Sequence, residues 1–473
     1  MFPFQTLTLG AFVLVALTGC ASLSPDGNQA DMADLIAGRT GGVSAPVGMA
    51  DSPASREAVA KLLATPLTAE SAVRIALLNN PGIHASMAAL GISDADRVRA
   101  GTLPNPHFSI ARFVEGDKVE IERGISFNVM GLLTLPWRAK YQGQQHEIAK
   151  LQAAQELVAL AADTRKAWIN AVAAQQSASY MADAKEAAEA SGELARRLAR
   201  VGNWSKLNQA REQTLVADAT AQLAKARNHA FAAREKLIRL MGLWGAQTQF
   251  TLAERLPELP KTASDLSDIE ATALRQRLDV RASVAQAGYV AESMGLTRST
   301  GFINALDVKY ARNTTFDNAT GGQDSKRGWG LELPLPIFDW GGASNARAQS
   351  LYLQSVARVQ ETAVKARSEA RESYHAWRTA YDLARHYRDE VVPLRKFINN
   401  ELLLRYNGML ASVFELLADT RTSIAAVNAS IEAQRDFWLA DTDLQTTLTG
   451  TSAGLMGATS ANASSSGSEA KGH

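Results

Sequence analysis

Two long stretches without helix breakers constrain the fold of this chain more than any other feature. Residues 138–201 and 343–407 follow a helical pattern, and only the second stretch contains a proline, Pro393. At 1.5 Å per residue each helix would span roughly 96 Å, with a local kink expected at Pro393. No compact core has that diameter, so the sequence predicts an elongated helical fold.

Shorter helical stretches have the lengths needed to lie beside the long ones. Residues 67–100 and 205–242 together would span ~108 Å, and residues 267–299 and 411–447 together ~105 Å. One long helix beside two short ones of equal summed length is the construction expected for a long cylinder. Ser267 and Glu270 have the spacing of a capping box at the start of one short helix.

Short matching segments indicate that the main part of the chain is a duplication. They recur in order at a spacing of ~200 residues: Ala76-Leu77 with Ala273-Leu274, Leu135-Pro136 with Leu335-Pro336, and Gly202 with Gly408. We expect two repeats, residues 67–264 and 265–450. Each should hold strands, at about 106–132 and 302–335, and a helical hairpin, at 138–242 and 343–447.

The segments between the helices alternate apolar and polar residues, which predicts half-buried strands. Lengths of ~9–11 residues suit tilted strands in a membrane. We expect a short turn near residues 115–118, a longer polar loop over residues 313–327, and an aromatic girdle that includes Tyr310 and Trp329. Four strands leave two open edges, which lipid does not tolerate, whereas three copies would close a ring of twelve. The alternative is a small soluble sheet that caps a helical body.

The N-terminus predicts export and a lipid anchor. Residues 7–19 form an apolar stretch of the length of a signal-peptide core, followed by Cys20. The string Leu17-Thr18-Gly19-Cys20 resembles the bacterial lipobox, and that resemblance implies cleavage before Cys20, its lipidation with palmitate-type chains, and, with Ala21 following, sorting to the outer membrane. The alternative is a buried structural cysteine behind a plain signal peptide. We expect residues 1–19 to be a signal peptide, 20–66 an extended tether and 451–473 a disordered tail.

Composition argues against several classes of function. Lys and Arg total 49 against 48 Asp and Glu, a balance that argues against a nucleic-acid-binding protein. A single cysteine allows neither a disulfide framework nor a cysteine-based metal cluster. The seven histidines show no ligand spacing, and no catalytic triad, phosphate loop or dinucleotide motif is visible. The sequence therefore predicts neither an enzyme nor a metal site nor a cofactor apart from the lipid on Cys20.

Over residues 67–448 the chain resembles the TolC-type outer-membrane factors, which include the outer-membrane efflux lipoproteins. The resemblance is carried by the helix lengths, the duplication, and three segments: Leu67-Thr68-Ala69-Glu70-Ser71-Ala72, Asn79-Asn80-Pro81 and Leu333-Pro334-Leu335-Pro336-Ile337-Phe338-Asp339-Trp340-Gly341-Gly342. It implies a mainly α fold with a small β part. In that fold, duplicated units of long coiled-coil helices and two β-hairpins form a homotrimer, with a 12-stranded membrane β-barrel on a periplasmic α-helical barrel.

The same resemblance implies a channel without catalysis, lipid-anchored in the cell outer membrane and extending into the periplasm. It would conduct substrates passively from a periplasmic adaptor (a membrane fusion protein) and an inner-membrane pump of the RND or ABC type. Two alternatives remain, a duct for type I protein secretion and a structural coiled-coil lipoprotein that spaces the envelope. The strands argue against the spacer, because a spacer needs helices only. The cargo is not determined by the sequence.

The resemblance also assigns the tips of the helical hairpins to adaptor docking. Gly202, Ser205 and Leu207 occupy the first Gly-x-x-Ser-x-Leu turn. The second turn holds Ser412, but Met409 takes the place of the glycine and Gly408 lies one residue early. A glycine there would supply the positive φ that lets a helix turn back.

Two carboxylates beyond the second tip are candidates for a gate. Glu415 and Asp419 lie four residues apart on one helix face, so three copies would form two acidic rings. The resemblance implies a selectivity gate in this stretch, with Arg405 as a candidate for pairing between subunits. The alternative is an ordinary solvated helix face. The corresponding residues of the first repeat, Asn208 and Glu212, are less acidic and less suited to gating.

Overall fold

The computed structural model describes residues 22–42, 53–263, 266–300, 306–334, 338 and 340–451. The predicted signal peptide, Cys20 and the predicted tail from residue 452 onward lie outside the described residues. Within them the chain is mostly helical with one small antiparallel sheet, which confirms the fold class at this level.

The helices described fall before, between and after two pairs of strands. In chain order they are α1 (Gln29–Ile36), α2 (Pro53–Leu63), α3 (Ala69–Asn79), α4 (Pro81–Ala100), α5 (Val129–Leu133), α6 (Leu135–Arg200), α7 (Lys206–Met241), α8 (Ile269–Gln276), α9 (Leu278–Thr300), α10 (Gly342–His386), α11 (Val392–Asn407) and α12 (Val413–Thr449). The strands are β1 (His107–Glu115), β2 (Lys118–Asn128), β3 (Asp307–Asp317) and β4 (Gly322–Glu332).

The long helices have the expected extent. Helix α6 runs without interruption for 66 residues. In the second long stretch, α10 passes into a π-helical turn, Tyr387–Val391, before α11 begins. Pro393 has no N–H to donate to the preceding turn, and the wider π turn lies directly before it, where the kink was expected.

The four strands form one sheet in the order β1-β2-β3-β4, with every neighbouring pair antiparallel. The short first turn is confirmed, since only residues 116 and 117 separate β1 from β2. The long loop expected over residues 313–327 is wrong: β3 continues to Asp317 and β4 begins at Gly322. The main-chain ladder between these strands does not depend on apolar side chains, so it extends through polar residues.

Two further details differ from the sequence-based expectations. The first strand region does not reach residue 132, because the Asn128 side chain accepts a hydrogen bond from the Gly131 amide and starts helix α5. The capping box at Ser267 and Glu270 does not form. Asp268 is the N-cap residue of α8, in a left-handed conformation and without a side-chain cap bond.

The chain divides into two compact units, each drawn from separate stretches of sequence. The first comprises residues up to 28, 87–152 and 281–362 and holds the sheet. The second comprises residues 29–86, 153–280 and those from 363 onward, and it is helical. Its core has one cluster around Leu67, Trp168 and Met241 and another of the aromatic rings Trp377, Tyr381 and Phe437.

The Asn79-Asn80-Pro81 segment in the second unit has a structural role. The Asn79 side-chain amide donates to the carbonyl oxygens of Met241 and Gly242, and that of Asn80 donates to Leu240. These are the carbonyls that a helix leaves unpaired at its C-terminal end. Gly242 is left-handed at φ 67°, and a Cβ there would lie 2.6 Å from the Asn79 carbonyl oxygen. The segment therefore joins the end of α7 to the break between α3 and α4.

The N-terminal region expected to be an extended tether contains helices α1 and α2. Met32 and Ile36 are fully buried, four residues apart on one face of α1. The Arg39 guanidinium donates to the carbonyl oxygens of Leu35 and Thr449, and Arg165 donates to Gly41. These contacts hold this part of the N-terminal region on the helical unit.

Candidate functional site

The first hairpin turn closes helix α6 with a Schellman motif. The Asn203 amide donates to the Leu198 carbonyl oxygen at 3.0 Å, and the Gly202 amide donates to Ala199 at 3.2 Å. Gly202 has the left-handed φ of 80° that this motif requires. The Ser205 hydroxyl then accepts a hydrogen bond from the Asn208 amide and caps helix α7.

The second hairpin turn has the same geometry with a methionine in the glycine place. The Leu410 amide donates to Arg405 at 2.8 Å, and the Met409 amide donates to Tyr406 at 3.0 Å. Met409 takes the left-handed conformation at φ 57°, whereas Gly408 has φ −82°. The glycine-type position is thus Met409, three residues before the Ser412 N-cap, as Gly202 is three before Ser205.

The two gate candidates have different surroundings. Glu415 is exposed and completes a capping box, with its carboxylate accepting from the Ser412 amide and the Ser412 hydroxyl accepting from the Glu415 amide. Asp419 is buried at 9% exposure, lies 3.8 Å from the Arg395 guanidinium and accepts a weak hydrogen bond from Asn399 at 3.4 Å. One carboxylate therefore points to solvent at the turn, and the other is covered by α11.

The remaining tip residues are exposed. Arg405 lies 3.7 Å from Glu401, one helical turn before it, in a contact open to solvent. Leu207, Met409 and Leu410 are exposed apolar side chains at the two turns. Exposed ion pairs of this kind contribute little to stability, so the Arg405 guanidinium can exchange partners at small cost.

Sequence reasoning missed the role of Glu212. Its side chain is buried at 4% exposure, accepts a hydrogen bond from Ser191 at 2.8 Å and pairs with Arg421 of α12 at 3.3 Å. Arg421 lies 209 residues away in sequence, so no local pattern could identify the pair. The bridge links the first helical hairpin to the second.

The register of the sheet separates an apolar face from a polar one, since directly opposed residues share a face. One face carries Phe108, Ile110, Val114, Val119, Ile121, Ile125, Phe127, Val308, Tyr310, Phe316, Trp329 and Leu331, together with four arginines, Arg112, Arg123, Arg312 and Arg327. The other face carries seven carboxylates and three lysines among small and polar residues and one exposed aromatic ring, Phe113. Large side chains of the apolar face, including Phe108, Ile110, Trp329 and Leu331, are exposed.

Neither a membrane helix nor a metal cluster is found in the part of the chain that the structure describes. Among those residues, no helix combines the length and the apolar character that crossing a membrane requires. Within the same residues, no group of three or more His, Cys, Asp or Glu side chains has an arrangement able to hold a metal ion.

The chain shares its fold with several solved outer-membrane proteins. It is similar to the Campylobacter jejuni CmeC outer membrane channel, with 16% identity and a TM-score of 0.65 over 80% of this chain and 85% of that one. It is also similar to the Neisseria gonorrhoeae MtrE outer membrane channel, with 16% identity and a TM-score of 0.64 over 81% and 89% of the two chains. The outer membrane protein VceC from Vibrio cholerae is similar as well, with 15% identity and a TM-score of 0.62 over 81% of this chain and 96% of that one.

Sequence comparison alone does not find this relationship. No protein-family model matches the chain, and no curated protein matches it. The likeness is one of fold, and it extends over most of this chain and of each solved structure. The chain therefore has the fold of the outer-membrane channel proteins of the TolC type, as the resemblance in its sequence predicted.

Proposed function

We propose that this protein is the outer-membrane channel of a tripartite efflux system and conducts substrates passively from a periplasmic adaptor and an inner-membrane pump to the exterior. One observation carries the proposal. The chain has the fold of outer-membrane channels, and its four-stranded sheet exposes large apolar side chains on one face and presents all seven of its carboxylates on the other. A membrane barrel needs lipid outside and water inside, which is this division of faces.

The open edges of the sheet support a homotrimer. Strands β1 and β4 each pair with one neighbour only, so each leaves a row of main-chain groups without strand partners in this sheet. In lipid such groups have no water to bond to, and closure into a ring is the general solution. Three copies give twelve strands, and the recurrence of two strands, a long helix and a returning helix in each half supports a duplicated unit.

The exposed turns support docking of a periplasmic adaptor. Gly202 and Met409 form matching Schellman motifs, Ser205 and Ser412 cap the returning helices, and apolar side chains such as Leu207 and Leu410 are exposed beside them. Exposed apolar groups on rigid turns are typical of a protein contact. The channel itself needs no catalytic group and no cofactor, and its anchor would be a lipid on Cys20.

Glu415 and Asp419 are proposed as parts of a gate. The surroundings of Asp419 make it the stronger candidate, because its carboxylate is covered by α11 and faces Arg395 across the contact between α11 and α12. Glu415 is exposed and would form an outer acidic ring. Carboxylate rings favour cations. Single-channel conductance and cation preference of Glu415→Gln with Asp419→Asn test this, and unchanged values would contradict it.

Gel migration and conductance together test the proposed function. The protein extracted from outer membranes should migrate as a trimer on an unboiled gel, convert to monomer on heating, and form conducting channels in planar bilayers. Deletion of the gene should raise sensitivity to small toxic compounds. A stable monomer without conductance would contradict the channel and favour the structural spacer, and a defect confined to protein export would favour type I secretion.

A further inference from the structure

A row of arginines crosses the apolar face of the sheet. Arg123 of β2 lies directly opposite Arg312 of β3, which lies directly opposite Arg327 of β4. Arg112 of β1 lies on the same face, opposite Ile121, one row nearer the hairpin turns. All four side chains are exposed. We call these four residues the arginine row.

The arginine row has no carboxylate to pair with on its own face. The seven carboxylates of the sheet all point to the other face, and among the described residues none of the four arginines forms an ion pair. Arg312 donates a hydrogen bond to the Ser325 hydroxyl at 3.2 Å. Like charges directly opposite one another destabilise a sheet, so this arrangement calls for an anion from outside the chain.

The residues beside the arginine row indicate where such an anion would lie. On the side away from the turns, the next row holds Phe108, Ile125, Tyr310 and Trp329, with the Tyr310 and Trp329 rings 5.0 Å apart. The row beyond holds Phe127, Val308 and Leu331, and exposed Leu132, Leu133 and Trp137 follow in sequence. Tyrosine and tryptophan collect at the boundary between lipid tails and headgroups.

On the side away from the turns, this order of residues matches the depth profile of a membrane surface, whereas on the turn side Val114, Val119 and Phe316 lie beyond the arginine row. An arginine on the lipid face of a barrel is strongly unfavourable at the centre of the bilayer and nearly neutral at its surface. The apolar rows would therefore lie in the hydrocarbon, the aromatic pair at its boundary, and the arginine row among the headgroups. Guanidinium groups bind phosphate through two parallel hydrogen bonds, and several in a line provide a multidentate site.

We propose that the arginine row binds the phosphate groups of anionic membrane lipids at the outer rim of the channel. The proposal rests on the proposed function, because it takes the apolar face of the sheet to be the lipid face. It commits to lipid-borne phosphate rather than free phosphate, because the arginine row adjoins an exposed apolar surface that lipid tails would cover.

The sheet offers a matched control for a test. The triple variant Arg123→Gln, Arg312→Gln, Arg327→Gln removes three positive charges from the apolar face. The variant Lys118→Gln, Lys309→Gln, Lys326→Gln removes three from the opposite face of the same strands. The full-length protein and both variants are reconstituted in nanodiscs of phosphatidylcholine with a minor fraction of phosphorylated lipid A. After extraction, the lipid A retained per protein is measured by native mass spectrometry.

We expect enrichment of lipid A over phosphatidylcholine for the unchanged protein and for the lysine variant. Each basic group at an anionic surface strengthens binding roughly fivefold, so the arginine variant should retain at least about tenfold less lipid A. Equal retention by the arginine variant, or no enrichment by the unchanged protein, would overturn the proposal. The second outcome needs no variant and holds even if the arginine variant does not fold.

Two controls distinguish this proposal from binding of free phosphate and from failure of the proposed function. Inorganic phosphate at millimolar concentration is offered to the protein in neutral detergent, and saturable binding that is lost in the arginine variant would overturn the assignment to lipid. Trimer migration and conductance are measured on the same samples. Normal trimers and conductance with no lipid A enrichment would reject only the proposal that the arginine row binds lipid. Failure to form trimers would reject the proposed function.

Discussion

Backbone conformation at single residues decides the shape of the hairpin tips. Gly202 and Met409 take the same left-handed conformation in the same hydrogen-bonded motif, although only one of them lacks a Cβ. The left-handed region costs a residue with a side chain roughly 1 kcal/mol or more. The second turn therefore carries backbone strain that the first does not, at an exposed position in the proposed adaptor-docking surface.

Replacing Met409 with glycine should stabilise the second turn. We expect Met409→Gly to stabilise the turn by ~0.5–1 kcal/mol. This is the backbone strain that the glycine relieves, reduced by the larger conformational entropy that a glycine has in the unfolded chain. Hydrogen exchange of the Leu410 amide, which donates to Arg405, reports on this turn. Met409→Ala keeps the strain and should show no gain. Exchange that is equal or faster in the glycine variant would contradict the strain argument.

A second residue-scale prediction concerns the buried Arg277. Its side chain is 1% exposed and forms ion pairs with Asp279 at 2.6 Å and Glu369 at 2.9 Å. These partners raise the pKa of the Arg277 guanidinium against the opposing effect of burial. We expect Arg277→Ala to lower the free energy of unfolding by about 3 kcal/mol, because it removes the buried guanidinium that pairs with both carboxylates. Thermal unfolding measures this, with the exposed Arg275→Ala as the matched control, and equal effects would refute it.

At the scale of elements, a buried histidine contacts the N-terminal segment, residues 22–28, within the unit that holds the sheet. His146 of α6 is 3% exposed, and its ring nitrogens contact Asn28 and Ser93 at 3.3 Å each. Asp94 lies 3.9 Å away and accepts from the Ser24 amide at 2.8 Å, while Arg97 donates to the Ser22 carbonyl oxygen. Helix α4 and helix α6 thus hold residues 22–28 through polar contacts.

The docking of this segment should depend on pH. Burial lowers the pKa of His146, assisted by nearby Lys150 and Arg97 and opposed by Asp94 and Glu147. A group with a lowered pKa in the folded protein contributes stability above its ordinary value of 6.5, and that stability is lost as the pH falls below it. We expect residues 22–28 to be released progressively as the pH falls below 6.5.

Limited proteolysis of residues 22–28 at pH 7.5 and pH 5.5 measures the release. Cleavage should increase at the lower pH in the unchanged protein and in His229→Gln, which alters an exposed histidine. In His146→Gln the ring that titrates is gone, so cleavage should be the same at both pH values. A persistent pH effect in that variant would refute the assignment to His146, because Asp94, whose pKa is lowered, titrates only in more acid solution.

At the scale of the whole molecule, the proposed assembly depends on the edges of the sheet. The proposed trimer places β1 of one copy beside β4 of the next, because these two strands form the edges of the sheet. Both carry small residues on the polar face, Ser109 on β1 and Gly328 and Gly330 on β4. Cysteines at such positions can approach closely enough for a disulfide if the edges meet.

Paired cysteines should therefore trap the trimer. We expect Ser109→Cys combined with Gly328→Cys or Gly330→Cys to give covalent dimers and trimers on oxidation, seen on a non-reducing gel. Each single-cysteine variant should stay monomeric on the same gel, because the two edges carry different cysteines. Absence of crosslinks from every pair, in protein that migrates as a trimer before heating, would refute the pairing of these edges.

The sequence by itself determined the long helices, the strand periods and therefore the fold class, because helix breakers and side-chain alternation are local properties. It also located both turns, including the methionine in the glycine place. It did not determine the extent of β3 and β4, which a main-chain ladder carries through polar residues, nor the failure of the Ser267 cap.

Only the tertiary structure decided which distant groups meet. The Glu212–Arg421 bridge, the His146 site and the arginine row each join residues from separate parts of the chain. Strand register is set by pairing between segments, and a shift of one residue would move every side chain to the other face. Such contacts depend on packing over the whole fold, which local sequence patterns do not encode.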